Sequence, residues 1–266
     1  MKRYFFYSLL LFVTACTSQK KIVVPPDNSP LVVDGKIWSS LFQQRAAEYK
    51  ALCLQAFNIA KWRVDEIAVQ QATKPRAIVT DIDETFLDNS PYAVHRALQG
   101  KDYSPESWYE WTARGIADTL TGALAFFNYA ASKNIEVFYI TNREEKEREG
   151  TLKNLQQFSF PFANNQHLIL RQNTSSKELR RQQVANTHEI ILLLGDNLAD
   201  FSMLFDKKTE AERDQYVQIL SNEFGKKFIV LPNTNYGGWE DAIYNNSHNW
   251  TAAQKDSLIK TRIKGY

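Results

Sequence analysis

The hydrophobic positions of this 266-residue chain follow two rhythms, which change over at Pro75. Before it, Trp38, Leu41, Phe42, Tyr49, Leu52, Ala56, Ile59 and Ala60 recur at steps that keep one helical face, continuing through Ile67 and Val69. Such spacing draws an apolar stripe on a helix; it predicts one long helix or a kinked pair, its aromatic residues in the core. After Pro75, short β-branched or leucine-rich runs alternate with helical patterns. Strands are predicted over 77–80, 135–140, 167–170, 189–194 and 228–231, and helices over 92–98, 121–133, 144–158, 208–222 and 252–260. A further helix is capped by Asn173-Thr174-Ser175-Ser176, and residues 101–105 and 235–239 read as loops, the second one aromatic. The run 189–194 is continuously apolar, as in a strand buried on both faces. Strand–helix alternation from residue 76 onward predicts an α/β fold, a central parallel sheet flanked by helices and joined by right-handed crossovers.

Three of these strands end on polar residues: the first on Asp81-Ile82-Asp83-Glu84-Thr85, the second on Thr141-Asn142-Arg143, the fourth on Gly195-Asp196-Asn197-Leu198-Ala199-Asp200. Side chains alternate along a strand, so Asp81 and Asp83 are expected on one side. Two like charges ~4 Å apart repel by about 4 kcal/mol at an effective dielectric near 20, so a cation is expected between them. Open α/β sheets bind ligands at the carboxyl ends of their strands. Lys177, at a helix N-terminus, adds an ammonium to that edge. Hard oxygen ligands select Mg²⁺ or Ca²⁺ over zinc, and His95, His167, His188 and His248 lack zinc-like spacing.

In order and spacing these blocks resemble the haloacid dehalogenase superfamily. Two longer stretches, Asp88-Asn89-Ser90-Pro91-Tyr92 and Leu231-Pro232-Asn233-Thr234-Asn235-Tyr236-Gly237-Gly238-Trp239-Glu240, narrow the resemblance to the class C acid phosphatases. It covers about residues 30 to 245. The resemblance implies a Rossmann-like core over about 76–232 with a helical elaboration from 36–75, 88–120 and the C-terminal segment. It further implies a Mg²⁺-dependent hydrolase of small phosphomonoesters, nucleoside 5′-monophosphates among them. Asp81 would be the nucleophile and Asp83 the general acid and base. Asp81, Asp83 (through its backbone carbonyl), Asp196 and Asp200 would hold the metal, and Thr141, Asn142 and Lys177 the phosphoryl group. Trp108 and Tyr236 fall where similar enzymes sandwich a nucleotide base, the alternative being that each packs the lid; Trp111 and Trp239 are expected in the core. Similar enzymes are often dimers. Two other functions stand beside this one: phosphotransfer to an alcohol acceptor, and a non-catalytic surface binding lipoprotein. The intact Asp81, Asp83, Lys177 and Asp196 weigh against the second.

The N-terminus adds a location. Lys2-Arg3 precede a short apolar run from Tyr4 to Val13, too short to span a bilayer. Val13-Thr14-Ala15-Cys16 resembles the lipobox of bacterial lipoproteins, which makes 1–15 a signal peptide and Cys16 the lipidation site. Residues 16–35 contain Pro25, Pro26 and Pro30 and read as a tether, leaving 36–266 as the phosphatase domain. The expected place is outside the cytoplasm on a membrane, and Thr17 after the cysteine favours the outer one. Without Lys2 and Arg3 the 32 basic residues become 30 against 30 acidic ones, a neutral chain that argues against a nucleic-acid polymer as partner. Cys53 is then the sole remaining cysteine, expected as a buried thiol.

Overall fold

The computed structural model of the chain describes residues 30–247 and 249–266. The expected signal peptide, Cys16 and His248 lie outside the described residues. In chain order the elements are α1 (Leu31–Arg45), α2 (Ala47–Ala68), β1 (Arg76–Thr80), β2 (Leu87–Asp88), α3 (Ser90–Ala97), α4 (Pro105–Arg114), β3 (Asp118–Thr119), α5 (Ala123–Ser132), β4 (Glu136–Ile140), α6 (Arg148–Gln157), β5 (Leu168–Ile169), α7 (Glu178–Thr187), β6 (Glu189–Gly195), α8 (Glu210–Ile219), β7 (Phe228–Val230), α9 (Gly238–Ile243) and α10 (Ala252–Arg262). No described helix is long and apolar enough to cross a membrane.

Five strands form a parallel sheet in the order β5-β4-β1-β6-β7, as the alternating pattern predicts. Alternation along β1 sends Ile78 to one face and Ala77 and Val79 to the other. The Ile78 face packs on Tyr49, Cys53, Phe57 and Val64 of α2 and on Phe126 and Phe127 of α5. Phe138, Val184 of α7 and Phe201 fill the opposite face. The sheet is thus buried on both sides and only its ends are open. Cys53 is fully buried, as expected.

Four features differ from the sequence pattern. First, the N-terminal helix takes the paired one of its two expected forms, broken where Ala46 is extended (ψ 130°), but the first helix of the pair does not turn the expected apolar stripe inward. At the break α1 leaves the sheet and packs on α3, and it starts at Leu31, inside the expected tether. Its inward face is largely polar: beside Val33, Ser40 and Gln43 are buried, Gln43 Nε2 donating to Asp88 Oδ1 at 2.7 Å and Gln43 Oε1 accepting from Asn235 Nδ2 at 3.0 Å. Trp38 is consequently 73 % exposed, with Leu41 and Phe42 also on the surface rather than in the core. Second, residues 105–114 form α4, begun by the Ser104 cap and Pro105 and ended by Gly115 in the left-handed region. Third, Gly238 opens α9 within the expected aromatic loop, and Trp239 is exposed, its Nε1 donating to the Tyr236 carbonyl at 3.2 Å, instead of in the core. Fourth, a two-stranded ribbon, β2 against β3, stands beside the site.

Phe86, fully buried, joins the ribbon to the sheet through ring contacts with Phe127 (5.3 Å), Tyr139 (5.7 Å) and Phe160 (4.8 Å). Phe86→Ala leaves a cavity among rings that cannot collapse into it. It should lower unfolding free energy by about 3–5 kcal/mol in urea titrations; a loss under about 1 kcal/mol would mean the ribbon is not anchored through this ring.

Candidate active site

The carboxyl ends of β1, β4 and β6 meet at one cavity of about 770 Å³. Asp81 extends the β1–β6 ladder by one bond, its N–H donating to the Leu194 carbonyl at 3.0 Å. Its carboxylate sits 2.6 Å from Lys177 Nζ, and the same ammonium lies 2.7 Å from Asp200 Oδ1. Lys177 is buried and is itself the N-cap of α7, in place of the expected cap among residues 173–176. Burial alone would lower its pKa, but the Asp200 and Asp81 carboxylates outweigh this and raise it, keeping the ammonium charged.

Asp200 reaches this position because its turn folds back on β6. Its Oδ2 accepts from the Asn197 N–H at 3.0 Å, and Arg181 holds its carbonyl at 2.7 Å. A Cβ on Gly195 would lie 2.4 Å from Asp200 Cβ and Oδ2, so only glycine leaves room for this fold. Asp196 is gripped by Thr85 Oγ1 at 3.1 Å and Asn233 Nδ2 at 2.7 Å. Burial, then Asp200 and Asp81, push the Asp196 carboxyl well above the usual range. Burial likewise lifts Asp81 to about 7, against the pull of Lys177.

Asp83 stands apart. Beyond Asp81 the strand has ended, and Glu84 takes φ +54°, a left-handed conformation that side chains rarely adopt. The period of two is lost, and the Asp83 carboxylate turns to its own cation. Arg143 grips it with Nη2 at 2.6 Å to Oδ1 and Nε at 3.1 Å to Oδ2, while Asn89 Nδ2 donates at 2.9 Å. The two aspartates therefore do not share one cation: Lys177 serves Asp81 and Arg143 serves Asp83. Glu84 is itself buried, accepting from the Asn89 N–H at 2.9 Å and from the Tyr236 hydroxyl. Burial first, then Asp83, hold its carboxyl well above the ordinary range.

Thr141 is buried, its Oγ1 accepting from the Arg143 N–H at 3.1 Å. Asn142 is exposed on the cavity wall, with Oδ1 held by Arg180 at 2.7 Å. Trp108 and Tyr236 also line the cavity. The Trp108 ring meets Tyr92 edge-on at 5.1 Å and Arg143 at 5.9 Å. The Tyr236 ring is open to the cavity while its hydroxyl reaches down to Glu84. Trp111 packs on the core and donates from Nε1 to Asn89 Oδ1 at 2.7 Å, so it also braces Asp83 at one remove. Arg143, Asn89, Asn233 and Arg180 received no role from the sequence. For Arg143 the signal was its place two residues past Thr141, at an edge with an excess of acid.

Carboxylate oxygens of Asp81, Asp196 and Asp200 lie within 4.8 Å of one another. The Asp83 side chain is not one of this group. Asp81 Oδ1 is buried and makes no directed hydrogen bond, its contact with Lys177 being ionic. With all four aspartates ionised, Lys177 and Arg143 leave a charge of −2. An oxygen-only donor set with that deficit fits a hard divalent cation.

Comparison with known proteins agrees with this geometry. The family model described as HAD superfamily, subfamily IIIB (Acid phosphatase) matches residues 13–239. A class C acid phosphatase from Bacillus anthracis has a similar structure, with TM-score 0.85 and 37% identity over 88% of this chain and 99% of that one. A second structure of that enzyme, with tungstate bound, matches at TM-score 0.85 and 37% identity, covering 88% of this chain and 98% of the other. "Acid phosphatase 1" of Solanum lycopersicum is 28% identical over 82 residues, and the match spans only 32% of its length.

A carboxyl whose folded pKa is raised above its unfolded value stabilises the fold at low pH and loses that contribution as pH rises through the folded value. In EDTA, Tm is therefore expected to fall as pH rises from the ordinary carboxylate range through about 7, the value of Asp81. Cation binding needs the ionised carboxylates. Added magnesium chloride should raise Tm more at pH near 7 than at pH near 4.5, as read by differential scanning fluorimetry; an equal or reversed difference would contradict the assignment.

Proposed function

The chain belongs to the acid phosphatases of HAD superfamily subfamily IIIB, and from that premise we propose that it hydrolyses small phosphomonoesters, including nucleoside 5′-monophosphates, through a phosphoaspartate on Asp81. The observation that carries this reading is the separation of the two aspartates onto different cations. Each is thereby fitted to a different task.

Asp81, held at the cavity floor, attacks phosphorus in line, forming an oxygen–phosphorus bond as the bond to the leaving alcohol breaks. Lys177 orients it and offsets charge on the transferring group, with Thr141 and Asn142 beside the phosphoryl oxygens. Positioning and charge stabilisation supply most of phosphoryl transfer catalysis. Asp83 gives its proton to the leaving oxygen. Arg143, bidentate on that side chain, stabilises the carboxylate left behind. The same carboxylate then takes a proton from the water that attacks phosphoaspartate, restoring Asp81 and releasing phosphate. Mg²⁺, when bound by Asp81, Asp196 and Asp200 with the Asp83 backbone carbonyl, would neutralise the remaining charge and polarise the phosphoryl group. Tungstate, found in the Bacillus anthracis relative, is a tetrahedral oxyanion like phosphate and supports a phosphate-sized site here.

The aromatic wall supports a nucleotide. Trp108 and Tyr236 line the same cavity as the aspartates, and base stacking contributes about 1–3 kcal/mol while tolerating different bases. From the sequence we also propose anchorage through lipidated Cys16, outside the cytoplasm and on the outer membrane.

Asp81→Asn should abolish phosphate release from p-nitrophenyl phosphate and AMP without loss of the folded circular-dichroism spectrum; residual turnover at the wild-type rate would rule out the nucleophile. Trp108→Ala should lower kcat/KM for AMP by about tenfold or more, in line with one lost stacking partner, while glycerol phosphate is little affected. An equal fall on both substrates would reject stacking.

A further inference from the structure

The cavity does not end at Trp108 and Tyr236. Its lining continues to Lys36 of α1, Asp102 in the loop before α4, Glu240 of α9 and Lys255 of α10. α10 lies beyond residue 239, where the family match stops. None of its residues is fully buried. It is held partly by Asp256, whose Oδ1 accepts from the Leu31 N–H at 3.0 Å at the start of α1, and partly by Lys255. α1 and α10 thus form a wall at the far end of the cavity.

The wall is built from balanced ion pairs rather than from an excess of carboxylates. Lys36 Nζ lies 3.6 Å from Asp102 Oδ1 and 3.7 Å from Glu240 Oε2, and Lys255 Nζ lies 3.6 Å from Asp102 Oδ2. Two ammonium groups face two carboxylates, and Arg96 and Asp241, also in the lining, continue the balance. On the floor carboxylates outnumber the cations, a deficit that a divalent cation would fill, whereas on the wall the side-chain charges pair off among themselves. The separations on the wall are too long for direct hydrogen bonds, and Lys36 Nζ donates instead to the Asn235 carbonyl at 2.8 Å, so the carboxylates keep hydrogen-bonding capacity toward a hydroxyl, an amine or a water in the cavity. A second anion would meet Asp102 and Glu240 as closely as the lysines. Asp102 is the hub: it pairs with both helices, and its Oδ1 also accepts from the Tyr103 N–H at 2.7 Å.

We propose that the α1–α10 wall restricts this enzyme to phosphomonoesters whose leaving group is uncharged at its far end, with Asp102 setting the restriction. This rests on the phosphatase reading above, which wild-type turnover of p-nitrophenyl phosphate tests separately. The experiment compares kcat/KM for linear α,ω-diol monophosphates with that for the corresponding bisphosphates, across a series of chain lengths. Wild type should prefer the monophosphate most at the length that brings the second phosphate to the wall. At that length Asp102→Asn should raise the bisphosphate-to-monophosphate ratio by about fivefold, the effect of one charge at ~4 Å under water-like screening. Lys255→Gln should lower the ratio by a similar factor. The ratio cancels any general loss of activity, and a merely structural disturbance would not move the two variants in opposite directions. A ratio that is independent of chain length in wild type, or that shifts the same way in both variants, overturns the proposal.

Discussion

The site depends on one buried ammonium. Lys177 stands within 2.7 Å of carboxylates from two separate strand ends, and without it Asp81 and Asp200 would face each other uncompensated. Breaking such a buried pair by removing one partner commonly costs 3–5 kcal/mol, because a charge is stranded away from water. The surrounding structure is arranged to keep this ammonium in place. α7 starts at it, Gly195 has no side chain to obstruct Asp200, and Arg181 pins the turn that carries Asp200. Electrostatics here is therefore a structural constraint as well as a catalytic one: one ammonium joins the C-terminal ends of β1 and β6 to the start of α7.

Around this centre lies a second ring of polar contacts that builds the walls. α1 is amphipathic in an inverted sense, its hydrogen-bonding residues facing inward and its large apolar residues outward. Gln43 links the end of β2, through Asp88, to the loop carrying Tyr236, through Asn235. Glu84 joins the same two regions from below, bonding to both Asn89 and Tyr236. The substrate cavity is thus framed by directional hydrogen bonds, which fix geometry more tightly than apolar packing alone.

Much of this was legible in the chain. The parallel sheet followed from strand–helix alternation. Asp81, Thr141, Asp196 and Asp200 could be placed at its carboxyl edge because strands have only two faces and two ends. The rest was hidden for definite reasons. Period-two reasoning stops where the strand stops, so the left-handed turn at Glu84 and the parting of Asp81 from Asp83 had no signature in the spacing. A periodic stripe tells that a helix has two faces but not which one turns inward, so Trp38 and Phe42 read as core. The stretch around Trp108 hid a helix whose start was written in Ser104 and Pro105 rather than in its apolar residues. Arg143 had no role because an arginine gains one from the carboxylate opposite it, and that pairing spans 60 residues of sequence.

The strands at the two edges of the sheet are very short: β5 has two residues and β7 three. A strand that brief exposes few unpaired amide and carbonyl groups, and its neighbours inside the sheet are covered by helices on both faces. Among the described residues the edges of the five-stranded sheet thus offer little template on which another chain could add a strand, a common route to aggregation.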